Sequence, residues 1–231
     1  MRATTGAEAV AIDGPAASGK STVARKVAEA LGALVVDSGA FYRGAAWLAL
    51  REGAPADDPV ALAPVLDPAR WSLAARDGAV GFALDGADPG AELRGGAVRE
   101  AVSEYAAVPE VRAFLVAQLR ATVRFGRIVM EGRDIGTVVF PESRHKFYLD
   151  ADAEERARRR LREIVALEGA GSEAEVQDSL RRRDTRDRSR ATAPLQVALG
   201  AQVIDSTRLN ADEVAAHILA CIAAVEEGGD G

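Results

Sequence analysis

The stretch Gly14-Pro15-Ala16-Ala17-Ser18-Gly19-Lys20-Ser21 follows the pattern G-x-x-x-x-G-K-[ST] of a phosphate-binding loop. The apolar run 10–13 before it predicts a buried strand, and apolar residues at helical spacing after it predict a helix that ends at Gly32. A loop between a strand and a helix can turn its backbone N–H groups around a polyphosphate. The stretch therefore predicts a nucleoside triphosphate site within an α/β fold.

Individual residues of this loop have expected tasks. Lys20 is a candidate catalytic residue because its ammonium can reach the outer phosphates, and the Ser21 hydroxyl is a candidate ligand for Mg²⁺. The candidate ATP-binding residues are Gly14, Pro15, Ala16, Ala17, Ser18, Gly19, Lys20, Ser21 and Thr22. The alternative is a glycine-rich turn that binds nothing.

The composition is typical of a folded protein, with 231 residues of which 48% are hydrophobic and 28% are charged. The single cysteine, Cys221, excludes an intrachain disulfide and lies in an apolar helical stripe, so we expect it to be buried. The N-terminal sequence does not resemble a signal peptide and no apolar run would span a bilayer, so we expect a cytoplasmic protein without a membrane partner. The net charge of -6 argues against nucleic-acid binding, and a monomer is the default expectation.

Strand and helix patterns alternate along most of the chain. Buried strands are predicted at 10–13, 33–36, 127–130, 146–150 and 201–204, and helices at 40–50, 96–125 with a break near Pro109, 154–168, 172–183 and from Asn210 to 225. Only short helical pieces are expected in the proline-rich span 53–68, and the tail 226–231 is expected to be mobile. The pattern predicts a five-stranded parallel sheet with helices on both faces.

Residues 65–100 depart from this alternation. The apolar runs 71–73 and 80–84 flank the turn signal Asp77-Gly78, which predicts a small antiparallel β hairpin. We interpret this segment as an insertion within one domain of residues 1–231. Its residues indicate no chemistry by themselves.

Arginine is concentrated in two clusters in spite of the negative net charge. The first contains Arg156, Arg158, Arg159, Arg160 and Arg162, and the second contains Arg181, Arg182, Arg183, Arg186, Arg188 and Arg190. Such clusters suit a small polyanion. The alternative is solvated helix faces in which the arginines pair with Glu154, Glu155 and Glu163.

Three classes of P-loop protein differ in the further residues that they need. A GTPase would carry a late Asn-Lys-x-Asp, which this sequence lacks, and a motor or DNA-acting ATPase would usually end an apolar strand in paired acids. Here Glu131, a candidate for the Mg²⁺ shell through water, is followed by Gly and Arg133. A small-molecule kinase needs a second anion site and mobile arginines, for which Arg43, Arg112 and Arg133 are available.

Three further stretches resemble the signature sequences of bacterial cytidylate kinases: DSGAFYR at 37–43, EGRDIGTVVFP at 131–141 and RDTRDRSR at 183–190. The loop GPAASGKS is also similar to that family's variant, although several relatives have Gly where Ser21 stands. The resemblance covers essentially the whole chain. It implies a P-loop kinase fold, transfer of the γ-phosphoryl group of ATP to CMP or dCMP, a β insertion in the monophosphate-binding part and a short Arg-rich lid within 155–190.

The resemblance also implies which residues bind the acceptor. The acceptor phosphate would be bordered by Ser38, Tyr42 and Arg43 and held by Arg43 and Arg133. The cytosine would face Ser103, Arg112 and Asp134. The sugar would face Arg183 and Asp187, and the lid would close with Arg190. Arg133, Arg183 and Arg190 join Lys20 as candidate catalytic residues.

The chemistry of cytosine supports the role of Asp134 independently. Cytosine presents an N4 amino donor where uracil presents an oxygen, so a carboxylate accepts from the first and repels the second. Three of these polar residues have an alternative structural role. The alternative is helix packing for Tyr42, a solvated position for Ser103 and a helix cap for Asp37. His145 and His217 are expected to be structural or surface residues. A nucleotide-binding regulatory module on the same fold is the non-enzymatic alternative.

Overall fold

The computed structural model describes residues 8–169, 171–190 and 192–228. The strands are β1 (Val10–Asp13), β2 (Leu34–Asp37), β3 (Trp71–Arg76), β4 (Ala79–Leu84), β5 (Ile128–Gly132), β6 (His145–Asp150) and β7 (Gln202–Asp205). The helices are α1 (Lys20–Leu31), α2 (Ser38–Glu52), α3 (Pro59–Leu62), α4 (Gly96–Tyr105), α5 (Pro109–Arg120), α6 (Ala153–Glu168), α7 (Glu173–Ser189) and α8 (Ala211–Gly228). A π-helical turn occupies Ile135–Val139.

The sheet contains the five predicted parallel strands in the order β2-β5-β1-β6-β7. The predicted strand count is wrong, because the β3-β4 hairpin joins this sheet and makes it seven-stranded. Val35 of β2 pairs with Ala79 of β4, and the Val35 N–H donates to the carbonyl of Gly78 at 2.9 Å. The hairpin thus covers an edge that would otherwise leave backbone donors and acceptors unpaired.

Side chains of β1 alternate between two hydrophobic layers. Val10 and Ile12 are buried against α1 and α8, whereas Ala11 is buried in the layer that contains α2, α4 and α5. This alternation is the two-residue period of a strand buried on both faces. The helices therefore cover both faces, as predicted, and hold the carboxyl end of β1 in the interior.

Aromatic packing seats the hairpin on α2. The ring of Phe82 lies 4.8 Å from that of Phe41 and 5.1 Å from that of Trp71, centroid to centroid. All three rings are buried or half-buried in the same hydrophobic layer. The insertion is thereby attached to the helix that carries Tyr42 and Arg43.

Several helix ends differ from the predicted ones. Helix α7 runs to Ser189 instead of 183, and α8 runs to Gly228 instead of 225. Residues 1–7 and 229–231 lie outside the described part, and the mobility expected of the tail 226–231 stays a prediction. Asn210 caps α8 as predicted, since its Oδ1 accepts the N–H groups of Asp212 and Glu213. Cys221 is only half-buried, with its Sγ 3.7 Å from Nε2 of His217, which corrects the expectation of a buried thiol.

Among the described residues, no helix combines the length and the apolar character that crossing a membrane requires.

Candidate active site

The phosphate-binding loop is pressed against strand β6. A Cβ placed on Gly14 would lie 2.0 Å from the carbonyl oxygen of Leu149, and the backbone of Gly14 has a φ of +148°. Only glycine meets both conditions. The close approach fixes where the loop begins and leaves its backbone N–H groups to turn around an anion.

Lys20 is buried at the start of α1, directly behind the loop. Its Nζ donates to the carbonyl oxygen of Pro15 at 2.6 Å and to Oγ of Ser18 at 3.3 Å. Burial, and then the positive charge of Arg133, lower the pKa of Lys20 to about 7. The loop therefore holds an ammonium group in surroundings that favour its neutral form until an anion arrives.

Two oxygen-bearing side chains meet beside Lys20. The Ser21 hydroxyl donates to Oε1 of Glu131 at 2.6 Å, and Glu131 ends β5. The Ser38 hydroxyl donates to the carbonyl oxygen of Glu131 at 2.8 Å, which ties the start of α2 to the same strand end. Hydroxyl and carboxylate oxygens suit Mg²⁺, which usually takes one or two protein ligands together with substrate phosphates and water. This donor set fits that ion, and the described residues contain no larger cluster of His, Cys, Asp or Glu arranged to hold a metal.

The first arginine cluster is mostly paired within α6. Arg158 pairs with Glu154 and Glu155, and Arg160 pairs with Glu163, so the alternative of solvated, paired arginines is confirmed for these two. Two other members of the cluster, Arg156 and Arg159, bind the phosphate-binding loop.

Arg156 and Arg159 reach from α6 to carbonyl oxygens of the phosphate-binding loop. Arg156 donates to Ala16 at 3.3 Å and pairs with Asp184 of α7 at 2.7 Å. Arg159 donates to the carbonyl oxygen of Ser18 at 3.3 Å. These contacts attach the loop to α6.

The second arginine cluster, on and just beyond α7, divides differently. Arg181 and Arg182 pair with Asp178 on the exposed face. In Arg183 the Nε atom, and in Arg190 the Nε and Nη2 atoms, are buried without an acceptor, and neither side chain forms an ion pair with any described residue. Burial, and then the charge of Arg133, lower the pKa of Arg183 to about 10. Buried guanidinium nitrogen atoms without an acceptor indicate a site for an anion.

A buried ion pair lies on the other side of these arginines. Asp134, two residues beyond β5, pairs with Arg112 of α5, and both side chains are almost fully buried. Arg112 also donates to the carbonyl oxygen of Ala106 at 3.2 Å, and its guanidinium carbon lies 5.4 Å from the ring centroid of Tyr42. The pair provides a charged acceptor and a charged donor side by side.

Tyr42 presents its hydroxyl to this region. The hydroxyl is buried and has no hydrogen-bond partner among the described residues. Burial, and then the negative charge of Asp134, raise the pKa of Tyr42 above its usual value. The hydroxyl therefore stays protonated and available to donate. Simple helix packing, the alternative for Tyr42, would not require an unpartnered hydroxyl.

The remaining predicted acceptor-binding residues occupy three positions. Arg43 pairs with Asp37 at 2.7 Å, and Asp37 also accepts the N–H of Ala40, which confirms it as a cap of α2. Arg133 donates from Nε to Oδ2 of Asp187 at 2.9 Å. Ser103 is half-buried on α4, and no hydrogen bond of its side chain is formed within the described part of the chain, so the structure does not join it to the others.

Asp13 is a buried residue of the site that was not predicted from the sequence. This carboxylate is 2% exposed and accepts the N–H groups of Ile135 and Gly136, each at 2.8 Å. Burial raises the pKa of Asp13 to about 6, although both hydrogen bonds act in the opposite direction. The signal in the sequence is a lone acid at the end of an apolar strand, next to Gly14.

The sequence of this chain is similar to those of known proteins. The sequence model of a family described as cytidylate kinase matches residues 10–224 of this chain. Proteins named cytidylate kinase from Rhodococcus opacus and Rhodococcus jostii are each 45% identical over 91% of this chain and 92% of their own length. One from Nocardia farcinica is 45% identical over 89% of both chains. The chain therefore belongs to the cytidylate kinase family.

Proposed function

We propose that this protein transfers the γ-phosphoryl group of ATP to CMP or dCMP and releases ADP with CDP or dCDP. The observation that carries the proposal is the arrangement of cations around Lys20. Arg133 and Arg183 both lie close enough to lower the pKa of Lys20, and Arg183 has no carboxylate partner among the described residues. A single anion on the loop does not need that many cations, whereas a donor and an acceptor phosphate do.

Recognition of the acceptor base is assigned to Asp134 and Arg112. The Asp134 carboxylate accepts from the N4 amino group of cytosine, and Arg112 donates to the neighbouring ring acceptors. Uracil would set its O4 oxygen against the carboxylate and leave buried charge unpaired. A site built in this way discriminates strongly between the two bases.

The transfer itself needs no protein nucleophile. A phosphate oxygen of CMP attacks the γ-phosphorus, the bond from that phosphorus to the bridging oxygen breaks, and the electron pair leaves with ADP. Arg43 and Arg133 hold the attacking phosphate, with Ser38 beside it. Lys20, Arg183 and Arg190 neutralise the charge that develops on the transferring group.

Mg²⁺ is proposed to accompany ATP. The Ser21 hydroxyl would bind the ion directly. Glu131, which accepts a hydrogen bond from that hydroxyl at 2.6 Å, would bind the ion through water. When bound, the ion neutralises charge on the β- and γ-phosphates. The residues Gly14 to Thr22 would bind the triphosphate around it.

The segments around the site are given roles on the same basis. We propose that residues 65–100 are the insertion of the monophosphate-binding region and that the Arg-rich lid, 155–190, closes over the phosphates with Arg190. Arg133 would release Asp187 when it binds the acceptor phosphate, and Asp187 would then face the sugar. Ser103 would complete the base site. We further propose a monomer that acts in the cytoplasm, and sedimentation of the purified protein tests the monomer.

The first test is ADP production from Mg·ATP with CMP, dCMP, UMP, AMP, GMP and shikimate offered separately as acceptors. Strong turnover with CMP and dCMP and weak turnover with UMP are expected. Turnover with a different acceptor would contradict the roles of Arg112 and Asp134. ATP binding without turnover on any acceptor would favour a regulatory module.

Binding of ATP is expected to take up a proton above neutral pH. Lys20 has a pKa of about 7 in the free protein, so it is mostly neutral near pH 8.5, and the phosphates should restore its charge. Titration calorimetry in buffers of different ionisation enthalpy should give close to one proton at pH 8.5 and markedly less below pH 7. Lys20→Arg, whose guanidinium is always charged, should bind without uptake. Equal uptake by Lys20→Arg would exclude Lys20 as the source.

Arg183→Met is expected to raise stability and remove activity at once. It eliminates a half-buried cation that forms no ion pair with a described residue, which should stabilise the ligand-free protein by about 1 kcal/mol, or roughly 2–4 °C in Tm. Loss of charge neutralisation should lower kcat by about 10²–10³. Arg182→Met is the matched control, because its side chain is exposed and paired with Asp178. A kcat of Arg183→Met within threefold of wild type would contradict the assignment.

A further inference from the structure

The π-helical turn Ile135–Val139 begins directly after Asp134, and a distant strand caps it. The N–H of Ile135 donates to Oδ1 of Asp13 at 2.8 Å, and the N–H of Gly136 donates to Oδ2 at 2.8 Å. Both oxygens of one buried carboxylate are thus used by two successive backbone groups. Asp13 therefore joins the strand that leads into the phosphate-binding loop to the segment that follows Asp134.

Asp134 occupies the N-cap position of this turn but does not cap it. An aspartate at that position ordinarily accepts the N–H of the second or third residue of the helix. Here the second N–H, that of Gly136, is bound to Asp13, and the Asp134 carboxylate accepts from neither that group nor the third N–H, that of Thr137. Asp134 pairs with Arg112 instead.

The backbone around Asp134 has little freedom to rearrange. A Cβ on Gly136 would lie 3.2 Å from the Cβ of Ala198 and 3.4 Å from Oδ2 of Asp13. On the other side, a Cβ on Gly132 would lie 2.5 Å from Oγ of Ser38. Packing holds the segment, but Asp13 supplies the hydrogen bonds that determine its direction.

We propose that Asp13 is a positioning residue for base recognition: by accepting the N–H groups of Ile135 and Gly136, it keeps Asp134 from capping its own helix and presents that carboxylate to cytosine. This inference rests on the proposed function, in which Asp134 reads the base. Because Asp13 is 2% exposed, its effect on the base would be exerted through Asp134 and not by direct contact. It links recognition of the acceptor to the strand that carries the ATP-binding loop.

Asp13→Asn tests the proposal with little change in volume. An amide has one oxygen and one NH₂ group, so one of the two N–H bonds is lost and a donor faces a donor. Displacement of Asp134 should then lower kcat/KM for CMP by about 100-fold, mainly through KM, while that for UMP changes by less than about threefold. The KM for ATP should stay within about threefold. The measurement is the ratio of kcat/KM for CMP to that for UMP.

Ser143→Ala is the matched control. Its buried hydroxyl donates to the carbonyl oxygen of Ala9 at 2.6 Å, just before the opposite end of β1. This variant should lose stability and keep the CMP to UMP ratio. An unchanged ratio in folded Asp13→Asn would overturn the proposal and leave Asp13 a purely structural residue.

Two further measurements keep the test decisive. If Asp13→Asn does not fold, Gly136→Ala moves the same N–H groups while it retains Asp13, and it should also lower the ratio; an unchanged ratio in this variant would overturn the proposal. CMP turnover by the wild-type enzyme distinguishes a failure of the proposed function from a failure of the role assigned to Asp13. Absence of CMP turnover in wild type refutes the function, whereas CMP turnover with an insensitive ratio in the variants refutes only the role of Asp13.

Discussion

Lys20→Met is expected to lower kcat by on the order of 10³ while the protein remains folded. Lys20 is the buried cation of the phosphate-binding loop, and its Nζ lies 2.6 Å from the carbonyl of Pro15. Methionine has a similar length and no charge, so it fills the space without neutralising the γ-phosphate. Because burial and the charge of Arg133 disfavour the charged form of Lys20 and lower its pKa, the variant should be at least as stable as wild type without ligand. Steady-state kinetics and thermal denaturation measure the two effects.

Lys26→Met is the matched control for this experiment. Lys26 lies on the same helix, α1, but its Nζ pairs with Asp212 of α8 on the surface. Its replacement should change kcat by less than twofold, since a surface ion pair contributes little. Turnover by Lys20→Met within tenfold of wild type would refute the catalytic assignment of the loop lysine.

Asp134→Asn is expected to reduce strongly the preference for cytosine over uracil. The amide can donate to the O4 oxygen of uracil, and it no longer offers two anionic acceptors to the cytosine amino group. We expect kcat/KM for CMP to fall by about 10²–10³ and that for UMP to change by less than tenfold. Stability should fall too, by about 3 kcal/mol, because Arg112 loses its buried counter-ion.

That loss of stability requires a control of similar cost. Asp184→Asn serves, because Asp184 is also buried and pairs with Arg156 at 2.7 Å. Its Tm should fall comparably, but CMP and UMP turnover should change together. If Asp134→Asn lowered both substrates by the same factor, Asp134 would be structural and not a reader of the base.

Much of the fold follows from local patterns. Apolar runs such as 10–13 and 146–150 predict strands because a strand buried on both faces must be apolar throughout. The hairpin was also predicted, but not its union with the sheet. The pairing of Val35 with Ala79 is a long-range contact, and nothing in the sequence near either residue predicts it. The same holds for the end of α7, which continues past 183 through a highly charged stretch.

Most residues of the candidate site were predicted from sequence motifs, and these motifs were sufficient to identify the resemblance to a family. The loop from Gly14 to Ser21 carries its chemistry in consecutive residues, so spacing alone identifies it. Arg112 and Asp134 could not be paired in this way. Asp13 was overlooked since its partners, Ile135 and Gly136, lie 122 and 123 residues away.

By itself, therefore, the sequence determined the phosphate-binding loop, the alternation of strands and helices, and the supply of arginines. Only the tertiary structure decided which arginines are free to bind an anion. Arg158 and Arg183 belong to similar charged helices, and each has an acid one turn away. Arg158 pairs with Glu154 and Glu155 on α6, whereas Asp187, the acid one turn beyond Arg183, pairs with Arg133. Charge composition is local, but the counter-ions and the solvent exposure that set its effect come from chain segments brought together by packing.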